Sequence, residues 1–566
     1  MLFQCRGAHP SQNFCSVGGV SRKERAINFR TLFGALTLAT LVTGCGSALP
    51  QSPVEVRENV NQNIPVAARF GTTPQVLSDP HQSGVQAAQT IFEKSETAVI
   101  SGPSVAAQAR AASISIVAHA PMMVSTPETS ADVATALGKL GVTHILMVGD
   151  ATPLNLQRIE TVVDPGTAEG IGELTSLAFQ RRETQNLLMD LVHTDPNLPT
   201  EFTVPGHSLA PSGEKAKTFP VQSKQDGGAA PPVLATADSS IAAVATARAF
   251  GANVTYLENV DPRFNAETVT ATAGLANQPM LALGDAFGTA DELARRIRSA
   301  AHSPQQPGGG GLVFPGRRIV ALYGHPSGPA LGELGEQPLE ASVAEVKERA
   351  KQYQAHSEET VVPAFEIIAT VAASQPGADG DYSNESTVEE LAPYVDAITN
   401  AGGYAILDLQ PGRASFLDQA KRYEELLKRP NVGLALDPEW KLYGQEKPMH
   451  DVGHVSAGEI NDVSRWLADL TRDNDVSQKP LVVHQFQTQM IRDRDQLQFH
   501  DEIALIIHVD GHGARGEKLG TWDEIRKGLD PRIFLAWKNF HDEDKPMFTP
   551  KETMDTEPRP WLVTYQ

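Results

Sequence analysis

Residues 479–511 read KPLVVHQFQTQMIRDRDQLQFHDEIALIIHVDG. Two apolar runs stand in this stretch, KPLVVHQF at 479–486 and IALIIHVDG at 503–511. Both finish in polar side chains, His484 and Gln485 in the first, His508 and Asp510 in the second, with His512 just beyond it. Short Val, Leu and Ile runs bounded by polar residues fit strands buried on both faces, as in a parallel sheet.

The pattern recurs on both sides of the stretch. RRIVALYG (317–324), VVPAFEIIATV (361–371), YAILDLQ (404–410) and VGLALD (432–437) precede it, and RIFLAWK (532–538) and WLVTYQ (561–566) follow. Most of the eight runs are separated by helix-like segments such as LEASVAEVKERAKQYQAH and SAGEINDVSRWLADLTRDN. Eight β–α units in 317–566 fit a (β/α)8 TIM-type barrel in number and length, with an open doubly wound sheet as the competing arrangement.

In a barrel of this kind the functional mouth lies at the carboxyl ends of the strands. Nearly every run ends there in an ionisable or amide side chain: His325, Glu366, Asp408 with Gln410, Asp437 with Glu439, His484 with Gln485, His508 with Asp510 and His512, Lys538, and Tyr565 with Gln566. Concentrating such groups at one end of a buried sheet is costly unless they work together. Within LALDPEWKL (434–442), Asp437 and Glu439 stand two apart, and in an extended strand both carboxylates would face one pocket. A raised-pKa acid beside a second carboxylate is what glycoside cleavage needs. A strand-4 end of the form Asp-x-Glu resembles several barrel glycosidases, including the muramidase type of lysozyme. That resemblance implies catalytic roles for Glu439 and Asp437, supported by Glu366, Asp408 and Asp510, with Trp440 offering a stacking face to a sugar. The structural alternative is a turn at the end of a strand.

Other residues are candidate ligand contacts: His484, Gln485, Lys538, and Arg413, which stands ready to hold an anion or to cap the helix beginning at Ser415. His508-Val509-Asp510-Gly511-His512 competes as a metal cluster. The first strand nevertheless ends in Tyr323-Gly324-His325 instead of the His-x-His of metallohydrolase barrels, so the spacing assigns no metal ligands. The N-terminal half, 66–300, contains no G-x-G-x-x-G, and no cofactor is expected.

The N-terminal half, 66–300, alternates strand-like runs with alanine-rich helical ones and repeats itself. Ser104-Val105-Ala106-Ala107 returns as Ser240-Ile241-Ala242-Ala243, and Val148-Gly149-Asp150-Ala151 as Leu283-Gly284-Asp285-Ala286. Each copy, about 69–155 and 231–300, resembles the type-2 cell-wall-binding repeat of Gram-positive surface proteins, although that family usually has Gly-Gly where this chain has Gly149-Asp150 and Gly284-Asp285. The resemblance implies a duplicated Rossmann-like fold and a cell-wall polysaccharide or peptidoglycan partner. A polar excursion at 205–232 and a Gly/Pro linker at 301–316 complete the division.

At the amino terminus, SRKERAINFR (21–30) and the apolar TLFGALTLATLVTG (31–44) form an export signal. Leu41-Val42-Thr43-Gly44-Cys45 resembles a bacterial lipobox, which implies lipidation of Cys45 (a diacylglyceryl and palmitate-type anchor), cleavage after residue 44, a tether at 45–65 and a surface location on the membrane. A simple signal peptide with a nearby cysteine is the alternative. Cys5 and Cys15 precede the cleavage point, so the mature chain holds no internal disulfide. A net charge of -21 over 566 residues excludes a nucleic-acid-binding surface. Two function classes stay open: an envelope-anchored glycoside hydrolase, and a non-catalytic wall-binding surface protein with a ligand pocket in its barrel.

Overall fold

A computed structural model describes residues 66–220 and 229–566. The signal peptide, Cys45 and the tether lie outside the described residues, as do 221–228 within the excursion. Among the described residues no helix is long and apolar enough to cross a membrane.

The C-terminal region is a closed barrel. Its strands are β1 (Arg317–Gly324), β2 (Thr360–Ala372), β3 (Tyr404–Leu409), β4 (Val432–Leu436), β5 (Lys479–Gln485), β6 (Ile503–Val509), β7 (Phe534–Asn539) and β8 (Leu562–Tyr565). Each pairs parallel with the next, and β8 closes on β1. Closure removes both sheet edges, which eight nearly all-buried strands demand. β2 overruns the rim and pairs antiparallel with Ser383–Glu385.

Alternation sorts every strand into two faces. The inward set builds a small apolar plug of Ile319, Ala321, Ala364, Tyr404, Ile406, Ala435, Val482, Ala504, Ile506, Ala536 and Leu562. The outward set, including Leu322, Phe365, Leu407, Leu434, Val483, Ile507 and Tyr565, packs under helices such as Leu339–Gln354, Val388–Asn400 and Ala457–Asp473.

The stretch 301–316, expected as a linker, is packed against the barrel. The helix Ala290–His302 runs into it, and Val313 and Phe314 join the apolar plug at the amino ends of the strands. The buried Arg317 guanidinium donates to the carbonyls of Leu312 and Val313. A cation with four nitrogen-bonded carbonyl partners, Pro307 and Gly309 included, pins the glycine run in place.

The N-terminal region holds two four-stranded, all-parallel sheets. One runs Met122–Val124, Thr97–Ser101, His144–Val148, Glu160–Val163, and the other Val254–Tyr256, Val233–Ala235, Leu281–Leu283, Gln75–Leu77. Helices Val105–Ala118 and Ile241–Ala249 are buried along nearly their whole length in one shared apolar cluster. Their Ser104 and Ser240 N-caps accept from Ala107 N and Ala243 N. This region meets the barrel at the end opposite the mouth: buried Arg263 chelates Asp261 and donates to Asp501 O at 2.9 Å, just before β6.

Candidate active site

The inward-facing side chains change character at one level of the barrel. Continuing each apolar inward row by two residues gives Tyr323 on β1, Glu366 on β2, Asp408 on β3, Asp437 after β4, His484 on β5, His508 and Asp510 on and after β6, Lys538 on β7 and Thr564 on β8. All of these are buried. The strand period of two therefore places one polar ring directly above the apolar plug.

His484 is the hub. Its Nδ1 lies 2.6 Å from Asp510 Oδ2, and its Nε2 3.0 Å from Glu366 Oε1 and 3.7 Å from Asp408 Oδ1. Tyr323 donates its hydroxyl to Asp408 Oδ2 at 2.9 Å, and Gln410 Nε2 reaches that hydroxyl at 3.3 Å. Lys538 Nζ lies over the Tyr323 ring, 3.7 Å from its centroid, and 3.9 Å from Asp510 Oδ2. Thr564 and the His508 Nε2 are 3.0 Å apart.

Five carboxylates here, Glu366, Asp408, Asp437, Glu439 and Asp510, meet fewer cations, and their protonation diverges. Burial pushes Asp408 up to about 6, against the opposing pull of His484. Burial also drives Asp437 well above the usual carboxylate range, with Asp408 and Glu439 adding to it. Glu439 is raised by burial and by the Asp510 charge, while Lys538 holds it down. Asp510 goes the other way: burial opposes its charge, but His484, His508 and Lys538 together hold it well below 3.8. The site thus sets protonated and ionised carboxyl groups side by side, the division of labour that acid–base chemistry uses.

Asp437 and Glu439 are presented differently from two residues of one strand. β4 stops at Leu436, Asp437 is extended, and Pro438–Trp440 form a 3-10 turn capped by Asp437 Oδ1, which accepts from Glu439 N at 3.1 Å. The proline ends the ladder because it brings no N–H. Asp437 stays in the buried ring and Glu439 and Trp440 rise to the half-buried rim.

Other candidates fall outside the ring. Gln485 neighbours His484 in sequence and so points to the opposite face, where it donates to the carbonyls of Gln487 and Thr488 and accepts from Arg494. Tyr565 likewise turns outward, 2.7 Å from the Tyr353 hydroxyl. Arg413 stacks over Tyr382 at 4.5 Å and donates to Glu446 O, bracing the loops beyond β3 and β4, while Ser415 caps the following helix by itself. His325 is held by Ser327 and Ser386, and exposed His512 lies edge-on to Phe540. Tyr323 and Thr564 were not singled out from the sequence; counting two residues on from the inward alanine and leucine of β1 and β8 finds both.

No family model matches this chain, and no curated protein does. Among solved structures it is similar to Cwp8 from Clostridium difficile, with 11% sequence identity and a TM-score of 0.28. The match covers 40% of this chain and 52% of that one, about half its length, and is too weak to establish a shared fold.

Proposed function

We propose that the protein is an envelope-anchored hydrolase that binds bacterial cell wall through its N-terminal half and cleaves a glycosidic bond of a wall glycan at the barrel mouth. The observation that carries this reading is Glu439: a half-buried carboxyl with a raised pKa, standing on the rim directly above a buried, carboxylate-rich ring. Glu439 is the group a polymer can reach, and burial and the Asp510 charge make it hold its proton to higher pH than an ordinary glutamate, the direction a donor to a leaving oxygen needs. Asp437 positions the turn that carries it. The surplus of negative charge below favours a substrate that becomes cationic, and an oxocarbenium-like transition state is one.

For the wall-binding part, support comes from the shared order of the first three strands in the two N-terminal sheets, the matching serine caps 136 residues apart, Ser104 and Ser240, and the positive φ of Gly149 and Gly284 at matching strand ends. A Cβ on Gly149 would meet the Ala107 Cβ at 2.6 Å, which explains a glycine there. Anchoring by a lipid on Cys45 rests on the sequence. A second reading, ligand binding without turnover, draws on the full burial of Glu366, Asp408, His484 and His508.

The deciding experiment incubates residues 46–566, the mature chain without its lipid-bearing Cys45, with purified wall glycan and measures new reducing ends. Release by the wild type that falls by roughly 10²- to 10⁴-fold in Glu439→Gln supports the hydrolase. No release from any wall fraction, with the protein still sedimenting with walls, leaves the barrel as a binding domain.

A further inference from the structure

The spacing of the sequence assigns no metal ligands, yet the fold assembles a set. His484 and His508 are register partners on β5 and β6, and their Nδ1 atoms lie 3.2 Å apart. Asp510, the next inward position after His508, sets Oδ2 2.6 Å from His484 Nδ1 and Oδ1 2.5 Å from His508 Nδ1. Both rings are fully buried and Asp510 is 8% exposed. Despite its short approach, Asp510 Oδ1 has no aligned hydrogen-bond donor. The two carboxylate oxygens thus face the two imidazole nitrogens one apiece, Oδ1 toward His508 Nδ1 and Oδ2 toward His484 Nδ1.

The far nitrogens of both rings are already engaged. His484 Nε2 faces Glu366 Oε1 at 3.0 Å, and His508 Nε2 faces Thr564 Oγ1 at 3.0 Å. Each ring can therefore carry its proton on Nε2, donate it outward, and turn a bare Nδ1 lone pair to the centre. A carboxylate or hydroxyl behind the distal nitrogen is how histidine ligands are oriented and made more basic.

The geometry points to a divalent transition-metal site of the zinc class, with His484 Nδ1, His508 Nδ1 and the Asp510 carboxylate as ligands and a fourth position open to water or a ligand oxygen. Two nitrogens bound tetrahedrally at 2.0–2.1 Å stand about 3.3 Å apart, close to the spacing already present, and the Asp510 carboxylate, now with one oxygen against each ring, has to draw back by about 0.7 Å to make room for the ion. Lys538 Nζ, 3.9 Å from Asp510 Oδ2, is a cation beside the ligands, and the Glu366 carboxylate behind His484 offsets it. The competing occupant is a proton: a doubly protonated His484 bridging Asp510 and Glu366 would fill the same space. The site does not depend on the glycosidase reading, and it exists or fails without any substrate.

The test titrates chelator-stripped full-length protein with Co²⁺ and reads the visible spectrum, with circular dichroism as a check on folding. One equivalent of Co²⁺ per chain is expected to give the intense d–d bands of a four-coordinate ion, and Zn²⁺ to bleach them stoichiometrically. Asp510→Asn and His508→Ala are expected to abolish the bands. Thr564→Val keeps the side-chain shape and removes only the group behind His508. It is expected to fold and to bind about 10- to 100-fold more weakly, which carries the test if the ligand variants do not fold. Absence of the bands in the wild type, or Co²⁺ binding that Thr564→Val and Asp510→Asn leave unchanged, overturns the proposal and leaves the bridging proton. Reducing-end release is measured separately, so a failure of the hydrolase reading does not touch this result.

Discussion

Lys479 opens β5 at the foot of the barrel, 1% exposed, with Nζ donating to Arg429 O at 2.9 Å and Val432 O at 2.8 Å. Burial alone lowers its pKa from 10.5 to about 7. Between those two values the unfolded chain holds a proton that the folded chain lacks, so stability rises with pH across that window; below about 7 both states are protonated and the slope vanishes. Urea unfolding from pH 7 to 10 is expected to show this rise, and Lys479→Met to flatten it. Glu439 gives a second pH dependence. As a proton donor it fails when it ionises, so hydrolysis is expected to decline on the alkaline side. Of the charges facing it, Asp510 pushes its pKa up while Lys538, His484 and His512 hold it down. Lys538→Met removes the largest of these restraints, and the alkaline limb of the kcat profile is expected to move to higher pH; a limb that stays put would argue against Glu439 as the donor. Legibility at this scale was uneven. Glu366, Asp408, Asp437, His484, Asp510 and Lys538 could be named from the polar ends of apolar runs, but Gln485 was grouped with His484 although adjacent strand residues face opposite ways.

Among the elements, β4 shows how tightly neighbouring strands are fitted. Gly433 faces Pro480 on β5, and a Cβ there would lie 2.3 Å from Pro480 Cγ and 3.0 Å from its carbonyl oxygen. Gly433→Ala is expected to destabilise the barrel by about 1–3 kcal/mol through overpacking, read as a lower urea midpoint with an unchanged m-value. A proline inside β5 is unusual, and the glycine opposite it is the accommodation. All eight barrel strands were visible as apolar runs because a strand buried on both faces has no polar alternation to obscure it. The turn at Pro438–Trp440 was not legible as such, since Asp-x-Glu after a strand is equally compatible with continued extension until the proline's missing N–H is set against a partner strand.

At the scale of the whole molecule, the N-terminal region is joined to the foot of the barrel by a compact charge network. Arg263 is 4% exposed, chelates Asp261 and reaches Asp501 O, while Arg296 pairs with Asp501 at 2.8 Å. Removing one member leaves a buried charge behind. Arg263→Met is expected to cost about 3–5 kcal/mol and to resolve calorimetric unfolding into separate transitions for the two regions. A single undivided transition, unshifted from the wild type, would mean that this junction contributes little.

The sequence by itself determined the eight strands, their order and the end at which the chemistry gathers, because buried runs and their polar termini are local signals. Only the tertiary structure decided which polar termini meet. Barrel closure, the strand register that sets His484 beside His508, and the packing of 301–316 against the strand ends depend on contacts between residues far apart in the chain. Protonation followed the same rule: Asp408, Asp437 and Asp510 are chemically alike, and their pKa values part because burial and neighbouring charges differ from one strand end to the next.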